Sequence, residues 1–326
     1  MKAAILEQFK EPFIIREIPR PVARKGEVVV RIKASGVNPL DLKTRDGAAA
    51  HTRTTTPAIL GLDMAGIVEV VGEGVSGFKP GDAVFGMTGG VGGIQGSLAE
   101  YAAVDAALLA KMPLKMSMRE AAALPLIAIT AWEALIDQAK VQSGQKVLIH
   151  GGAGGVGHIG IQLANMRGAN VFATGSEVSQ TVIKNLGATP IDYTVASVED
   201  YVQAHTGGEG FDVVLDTVGG ITLDNSFHAV KKYTGHVVSI LGWGTHSLAP
   251  LSFRAGTYSG VFTLMPLLTG NGRAHHGEIL REIAACYDQG RLKPILNDRL
   301  FTFDQIEDAY RAMGDKQGGK IVVSID

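Results

Sequence analysis

Cysteine is almost missing from this chain: Cys286 is the only one in 326 residues. One thiol closes no internal disulfide and supplies no four-cysteine zinc site. Long apolar runs are missing too. The longest, Ala121 to Trp132, is interrupted by Pro125 and falls short of the roughly 20 residues that cross a bilayer. The first residues turn charged at Glu7, which leaves no signal-peptide core. Neither charge is in excess. The 30 Lys and Arg face 32 Asp and Glu, a formal net charge of −2, so no basic field exists to draw nucleic acid or an anionic membrane. These absences predict a soluble cytoplasmic protein that works on small molecules, not on nucleic acid or membranes.

What is present is globular. Apolar residues make up 46% and charged residues 19%, and the length suggests two domains. The first third reads as β-rich, with strand patterns at Glu27–Ile32 and Ile67–Val71, and turns marked by Gly72, Gly74, Gly77, Pro80 and Gly81. The run Gly89–Gly93 reads as a loop, since no helical pattern follows it. Ser117 and Glu120 have capping-box spacing before an alanine-rich helix. From Lys146 the pattern changes to buried strands alternating with helices. The strands are Val147–Ile149, Asn170–Ala173, Asp212–Leu215 and His236–Ile240, with another near Gly260–Phe262. The helices fall near Gly157–Arg167, Val178–Leu186 and Leu223–Lys232. Such alternation predicts an α/β fold with a doubly wound parallel sheet. A helical stripe from Ile279 to Tyr287, a second capping box at Asp304 and Glu307, and a closing strand at Lys320–Ser324 complete the tail. The pattern places the α/β domain at 125–264, inserted in a β-rich domain made of 1–124 and 265–326.

One motif carries chemistry. Gly151-Gly152-Ala153-Gly154-Gly155-Val156-Gly157 follows a strand and opens a helix, and Gly152, Gly154 and Gly157 fit G-x-G-x-x-G. Missing Cβ atoms allow a tight turn and close approach of the backbone to a pyrophosphate, while the helix N-terminus offers N–H groups to the anion. The strand-then-helix context makes this a dinucleotide site. The second strand ends at Thr174-Gly175-Ser176. An NAD enzyme usually carries Asp or Glu there to hold the ribose 2′-OH. The small, uncharged end favours NADP (NADPH) over NAD.

Several segments, in this order, resemble the medium-chain dehydrogenase/reductase (alcohol dehydrogenase) superfamily, in its zinc-independent quinone oxidoreductase branch. They are Ala34–Asp41, Gly61–Gly66, Phe78–Val84, Thr130–Leu135, the Gly151–Gly157 loop, Leu215–Gly220 and Gly319–Val322. The resemblance implies a GroES-like β-rich catalytic domain, a Rossmann domain, a cleft between them and a homodimer. It implies that Asn38 faces the substrate and that Thr130 lies near the cofactor. It also implies that Ser176 and Tyr193 hold the 2′-phosphate end and that Val218 and Gly219 line the nicotinamide. Two departures stand out. The Lys that many relatives carry a few residues past that Ser is absent, with Ser179 near its place. The Tyr that often follows the Gly-Val-Asn-Pro segment is also absent, and the region reads Asp46-Gly47-Ala48-Ala49-Ala50-His51.

Zinc-dependent cousins carry Cys where this chain has Asn38, and Gly-His-Glu where it has Gly61-Leu62-Asp63, so no metal is expected. His275-His276 reads as a solvated loop and Cys286 as core packing. His51 is the candidate proton donor, because an imidazole titrates near neutrality. Asp41, Asp63 and Arg45 read either as cleft residues or as structural ones. The expected activity is NADPH-dependent hydride transfer to a quinone or related conjugated carbonyl, with enone reduction, or cofactor binding with little catalysis, as the alternatives.

Overall fold

The computed structural model of the protein describes residues 1–314 and 318–325. The chain divides into two compact units, Met1–Leu126 with Leu264–Asp326, and Ile127–Thr263. The sequence reading put the joins at 124/125 and 264/265.

The first unit is β-rich. Its strands, in chain order, are β1 (Lys2–Ile5), β2 (Ile14–Glu17), β3 (Glu27–Gly36), β4 (Asp63–Val71), β5 (Ala83–Met87), β6 (Tyr101–Asp105) and β7 (Leu109–Lys111). Helices α1 (Pro39–Arg45) and α2 (Met118–Ala123) belong to the same stretch, and α3 (Pro125–Trp132) runs across the join into the second unit. Strands β1 and β2 form a separate antiparallel pair, which the sequence reading missed. Strand β3 alternates around a buried row, Val28, Val30 and Ile32, which packs on Met64, Val68 and Val84. β-branched side chains on alternate positions fit a pleated, half-buried surface. Helix α2 starts at Ser117 with the predicted box, since the Ser117 hydroxyl and Glu120 carboxylate cap each other's backbone N–H.

The second unit alternates strictly. Strands β8 (Lys146–His150), β9 (Asn170–Gly175), β10 (Thr189–Asp192), β11 (Val213–Asp216), β12 (His236–Ser239) and β13 (Thr257–Gly260) form one parallel sheet. Helices α4 (Gly155–Met166), α5 (Gln180–Asn185), α6 (Val198–Thr206), α7 (Ile221–Ala229) and α8 (Ala249–Ser252) connect them. The sheet order is β10-β9-β8-β11-β12-β13. The first strand therefore lies in the middle, and the winding reverses beside it. This is the doubly wound dinucleotide-binding order, and ligands sit at the carboxyl ends of the strands at that reversal. The last strand lies at 257–260, earlier than its expected place at 260–262. Strand β10 was not anticipated because it is short and carries Pro190, which an edge strand tolerates.

The tail returns to the first unit with α9 (Met265–Thr269), α10 (Arg273–Asp288), β14 (Phe301–Thr302), α11 (Ile306–Gly314) and β15 (Val322–Ser324). Strand β15 pairs antiparallel with β3 and completes a seven-stranded sheet. Two tail expectations are corrected. The capping box is formed by Thr302 and Gln305, not by Asp304 and Glu307, because a turn of 3₁₀ helix precedes α11. His275 and His276 lie on α10, and His276 is fully buried. An apolar stripe that begins one turn earlier than expected takes it into the core.

Candidate functional site

The glycine loop leaves the carboxyl end of β8 and is tied on both sides. Gly152 N–H donates to the Thr174 carbonyl at 2.9 Å on β9, and Thr217, just past β11, donates its hydroxyl to the His150 carbonyl at 2.6 Å. Each glycine has its own reason. Gly151 has φ +72°, a region costly to side chains. A Cβ on Gly152 would meet the Ala173 Cβ at 2.6 Å, and one on Gly157 would overlap the Gly151 carbonyl oxygen. Gly154 differs. Its φ is −75°, and the only atom within 4 Å of an added Cβ is the Gly151 carbonyl oxygen at 3.1 Å. The chain does not fill that space, and a Cβ would occupy the outer side of the loop. No side chain caps α4. Its first internal bond runs from His158 N–H to the Gly154 carbonyl at 3.0 Å, so the amides of Gly155, Val156 and Gly157 precede the intrahelical ladder. Open backbone at Gly154 beside a helix N-terminus fits a pyrophosphate.

Strands β9 and β10 bring the next residues together. Gly175 is registered against Asp192, so Ser176 and Tyr193 leave neighbouring strand ends. Tyr193 is exposed, as is Glu177, while Ser176 is half-buried. Gln180 donates its amide to the Gly175 and Ser176 carbonyls at 2.9 and 3.2 Å. A Cβ on Gly175 would approach Ile183 Cδ1 and Ser179 Cβ at 2.7 and 2.8 Å, so the packing of α5 keeps an acidic side chain out of this strand end. Beyond β11, Val218 is half exposed and Gly219 is buried. Thr130 on α3 is buried, with its hydroxyl 3.1 Å from that of Thr263. Because Thr263 donates to Glu133 at 2.7 Å, Thr130 is the donor of that pair.

Asn38 lies in the first unit, fully buried at the start of α1. Its amide nitrogen donates to Asp63 at 3.0 Å, and its amide oxygen accepts from the Lys320 ammonium. As placed, it presents no exposed atom to a substrate. Asp63 also accepts from Leu126 N–H at 2.8 Å, and Asp41 accepts from Asn38 N–H at 2.9 Å. Burial, then the neighbouring Asp63, pushes Asp41 up to about 7. Burial also raises Asp63 and lowers Lys320, each against the pull of the other. Asp41 and Asp63 are therefore structural groups here. Sequence reasoning missed Lys320, a lysine in a closing strand pattern with no local sign of burial. Arg45 sits beside Asp46 and Glu307 at 3.1 and 3.4 Å. Of the positions where zinc-dependent cousins carry Cys, His and Glu, Asn38 and Asp63 are hydrogen-bonded to each other and Leu62 is a buried apolar residue. Among the described residues, no three His, Cys, Asp or Glu are grouped to hold a metal.

His51 lies in a short 3₁₀ turn, Ala50–Thr52. Burial, with the Lys43 charge second, lowers its pKa below the ordinary imidazole value. At neutral pH the ring does not hold the proton that a donor must give. Cys286 is partly exposed on α10, and burial raises its thiol pKa, the reverse of an activated nucleophile.

A second histidine was not singled out by sequence. His246, between β12 and α8, has Nδ1 2.8 Å from an Asp224 carboxylate oxygen on α7 and Nε2 3.2 Å from the Trp243 carbonyl. Both partners accept, so both ring nitrogens must donate, and only the imidazolium does that. The Asp224 hydrogen bond is the largest cause of a raised pKa. The clasp is present below the ordinary imidazole pKa and is lost as pH rises through the elevated one. In an NMR titration, the His246 midpoint is expected above that of free imidazole, and Asp224→Asn is expected to bring it back. An unshifted wild-type midpoint would refute the clasp.

Comparison with known proteins gives the family. Residues 24–114 match the family model "Alcohol dehydrogenase GroES-like domain" and residues 186–323 match "Zinc-binding dehydrogenase". The chain is 37% identical over 314 residues to a 2-methylene-furan-3-one reductase of Solanum lycopersicum, covering 93% of this chain and 73% of that one. It is 26% identical to a quinone oxidoreductase of Homo sapiens, covering 99% and 97%. A solved alcohol dehydrogenase superfamily protein from Novosphingobium aromaticivorans superposes with a TM-score of 0.98 at 54% identity over the whole of both chains.

Proposed function

The chain belongs to the medium-chain dehydrogenase/reductase superfamily and is an NAD(P)H-dependent oxidoreductase, and from that premise we propose that it is an NADPH-dependent reductase of conjugated carbonyl acceptors, quinones first, working without zinc as a cytoplasmic homodimer. The observation that carries the cofactor half is the end of β9. Gly175 is packed too tightly for an acidic side chain, Ser176 follows it at the end of β9, and the Asp192 carboxylate on the neighbouring strand is taken up by the Thr194 N–H and hydroxyl. Gly152, Ala153, Gly154, Gly155, Val156 and Gly157 take the pyrophosphate in this reading. Val218 and Gly219 take the nicotinamide end, and Thr130 supports the site from α3. Bound NADPH supplies the hydride. The residues of the chain bind and orient, and orientation alone contributes roughly 7–11 kcal/mol in well-aligned reactions.

A quinone takes its proton readily from water, which suits a chain whose candidate acid, His51, has its pKa lowered below the ordinary imidazole value. An enone needs a donor or an oxyanion stabiliser for the developing enolate. Enone reduction is the second reading, favoured by the 2-methylene-furan-3-one reductase at 37% identity. Steady-state assays with one quinone, one enone, NADPH and NADH separate the readings. The expected result is a kcat/KM with NADPH about tenfold or more above that with NADH, and quinone turnover that changes less than about threefold in His51→Ala. Equal use of NADH would overturn the cofactor assignment. Tight NADPH binding without turnover of either acceptor would leave a cofactor-binding protein with little catalysis.

The homodimer reading draws on β13. It is an edge strand, and Leu248, Phe253 and Tyr258, on or just before it, are exposed. Unpaired parallel edges beside apolar side chains invite pairing. Sedimentation equilibrium is expected to give twice the chain mass; a monomer at micromolar concentration would exclude it.

A further inference from the structure

We propose that the second unit carries an anion site apart from the glycine loop, a pocket beside α7 and α8 that takes the phosphate group of a small organic phosphate monoester. The proposal does not rest on the cofactor reading. The pocket has a volume of about 420 Å³, and its lining includes His228, Lys232, Ser247, Pro250, Phe253 and Arg254. Helices α7 and α8 share one buried apolar cluster through Leu223, Phe227 and Leu251. Past that seam both segments turn polar. His228 is in the last turn of α7, Lys232 comes shortly before β12, and Arg254 comes shortly before β13. All strands of this sheet run the same way, so Lys232 and Arg254 lie towards its amino edge. The glycine loop leaves the carboxyl edge, at the end of β8. The two sites are therefore separate.

The cations are held in place and have no counter-charge. Arg254 is half-buried. Its Nη1 donates to the Val230 carbonyl at 2.9 Å, and its own carbonyl accepts from Tyr233 N–H at 2.7 Å. Both bonds run to the short segment that carries Lys232, so the order of the site is already present without a ligand. Among the described residues, neither Lys232 nor Arg254 has a carboxylate at ion-pair distance. The carboxylates on the flanking segments are taken up, Asp212 by Lys231 at 3.1 Å and Asp224 by His246 at 2.8 Å. Ser247 accepts from Ala249 N–H at 3.4 Å, which leaves its hydroxyl proton to donate. The His228 ring carries a donor in either tautomer. Four donor side chains and two full positive charges thus face one pocket, which favours an anion. A carboxylate brings two oxygens and one charge. A phosphate monoester brings three oxygens and a charge of about −1.5 to −2, and it matches both counts. The volume falls within the roughly 300–1,000 Å³ of small-molecule sites, which leaves room for an organic body. Pro250 and Phe253, the latter at the rim of the face used in the homodimer reading, give that body an apolar wall.

The test is isothermal titration of the full chain, with and without saturating NADPH, using phenyl phosphate, benzoate and inorganic phosphate as probes. Phenyl phosphate is expected to bind saturably below about 10 mM, with the same affinity whether or not NADPH is present. Benzoate and inorganic phosphate are each expected to bind about tenfold or more weakly than phenyl phosphate. Lys232→Met and Arg254→Met are each expected to weaken phenyl phosphate binding about tenfold or more, while Gly154→Asp leaves it unchanged. Lys232 is exposed, so its variant keeps the proposal testable if Arg254→Met does not fold. No saturable binding overturns the proposal, as does binding that Lys232→Met leaves unchanged. Displacement of phenyl phosphate by NADPH, with loss in Gly154→Asp, puts the probe on the glycine loop and overturns it too. Benzoate bound as tightly as phenyl phosphate overturns the phosphate assignment, and inorganic phosphate bound as tightly overturns the organic ester.

Discussion

Gly154→Asp is expected to weaken NADPH binding by roughly a hundredfold or more while the protein stays folded. The backbone at Gly154 has φ −75°, which any residue adopts, and an added Cβ meets only the Gly151 carbonyl oxygen within 4 Å. The fold therefore tolerates a side chain there. The ligand does not, because the carboxylate would stand where the pyrophosphate meets the helix N-terminus, and like charges repel across a desolvated gap. Gly157→Ala is the control with the opposite outcome. Its Cβ would overlap the Gly151 carbonyl oxygen, and forcing a methyl into packed backbone costs about 1–3 kcal/mol of stability. Thermal unfolding and a fluorescence titration with NADPH, run on both variants, separate the two effects. Unchanged affinity in Gly154→Asp would refute the loop as the pyrophosphate site.

The second large effect lies at Lys320. Its ammonium donates to the Val37 carbonyl at 3.1 Å and to Asn38, and lies 3.7 Å from Asp63. Lys320→Met is expected to cost about 3–5 kcal/mol, because it strands a buried carboxylate and two buried carbonyl oxygens. Lys320→Met with Asp63→Asn should recover part of that loss. The same cluster shapes the pH dependence. Asp41 titrates at about 7 in the folded chain against 3.8 ordinarily, so between those values the folded state holds a proton that the unfolded state has released. Taken alone this makes stability fall as pH rises from about 4 to about 7, by a few kcal/mol at most, while burial of His150, lowered to about 4, and the lowered His51, His205 and His236 act in the opposite direction over the same range. Asp82 and Glu120 have lowered values, and their opposite contribution is lost only as pH falls through their own range, at and below the ordinary carboxylate pKa. Urea unfolding across pH 5 to 7 should show wild type losing stability relative to Asp41→Asn as pH rises. A stability difference between the two that does not change with pH would contradict the raised Asp41.

Much of the second unit was legible in the chain itself. Strands such as Lys146–His150 and Val213–Asp216 are nearly all buried, so they read as continuous apolar runs, and each is followed by a helical period. The loop was legible for the same local reason: its glycines answer to neighbours within a few residues or on the adjoining strand. Short elements under competing signals were harder. Strand β10 carries a proline, and α6 opens on a Ser197–Asp200 capping box with no strong apolar stripe behind it.

The sequence by itself determined the doubly wound unit, the glycine-rich loop after its first strand and the uncharged end of β9, because local periodicity and missing side chains leave marks on consecutive residues. Only the tertiary structure decided that Asn38 is enclosed and that a lysine 282 positions away holds it. A buried ammonium or carboxylate is stable only where its partners converge. Those partners come from opposite ends of the chain or from separate strands, and no spacing along the sequence records that they meet.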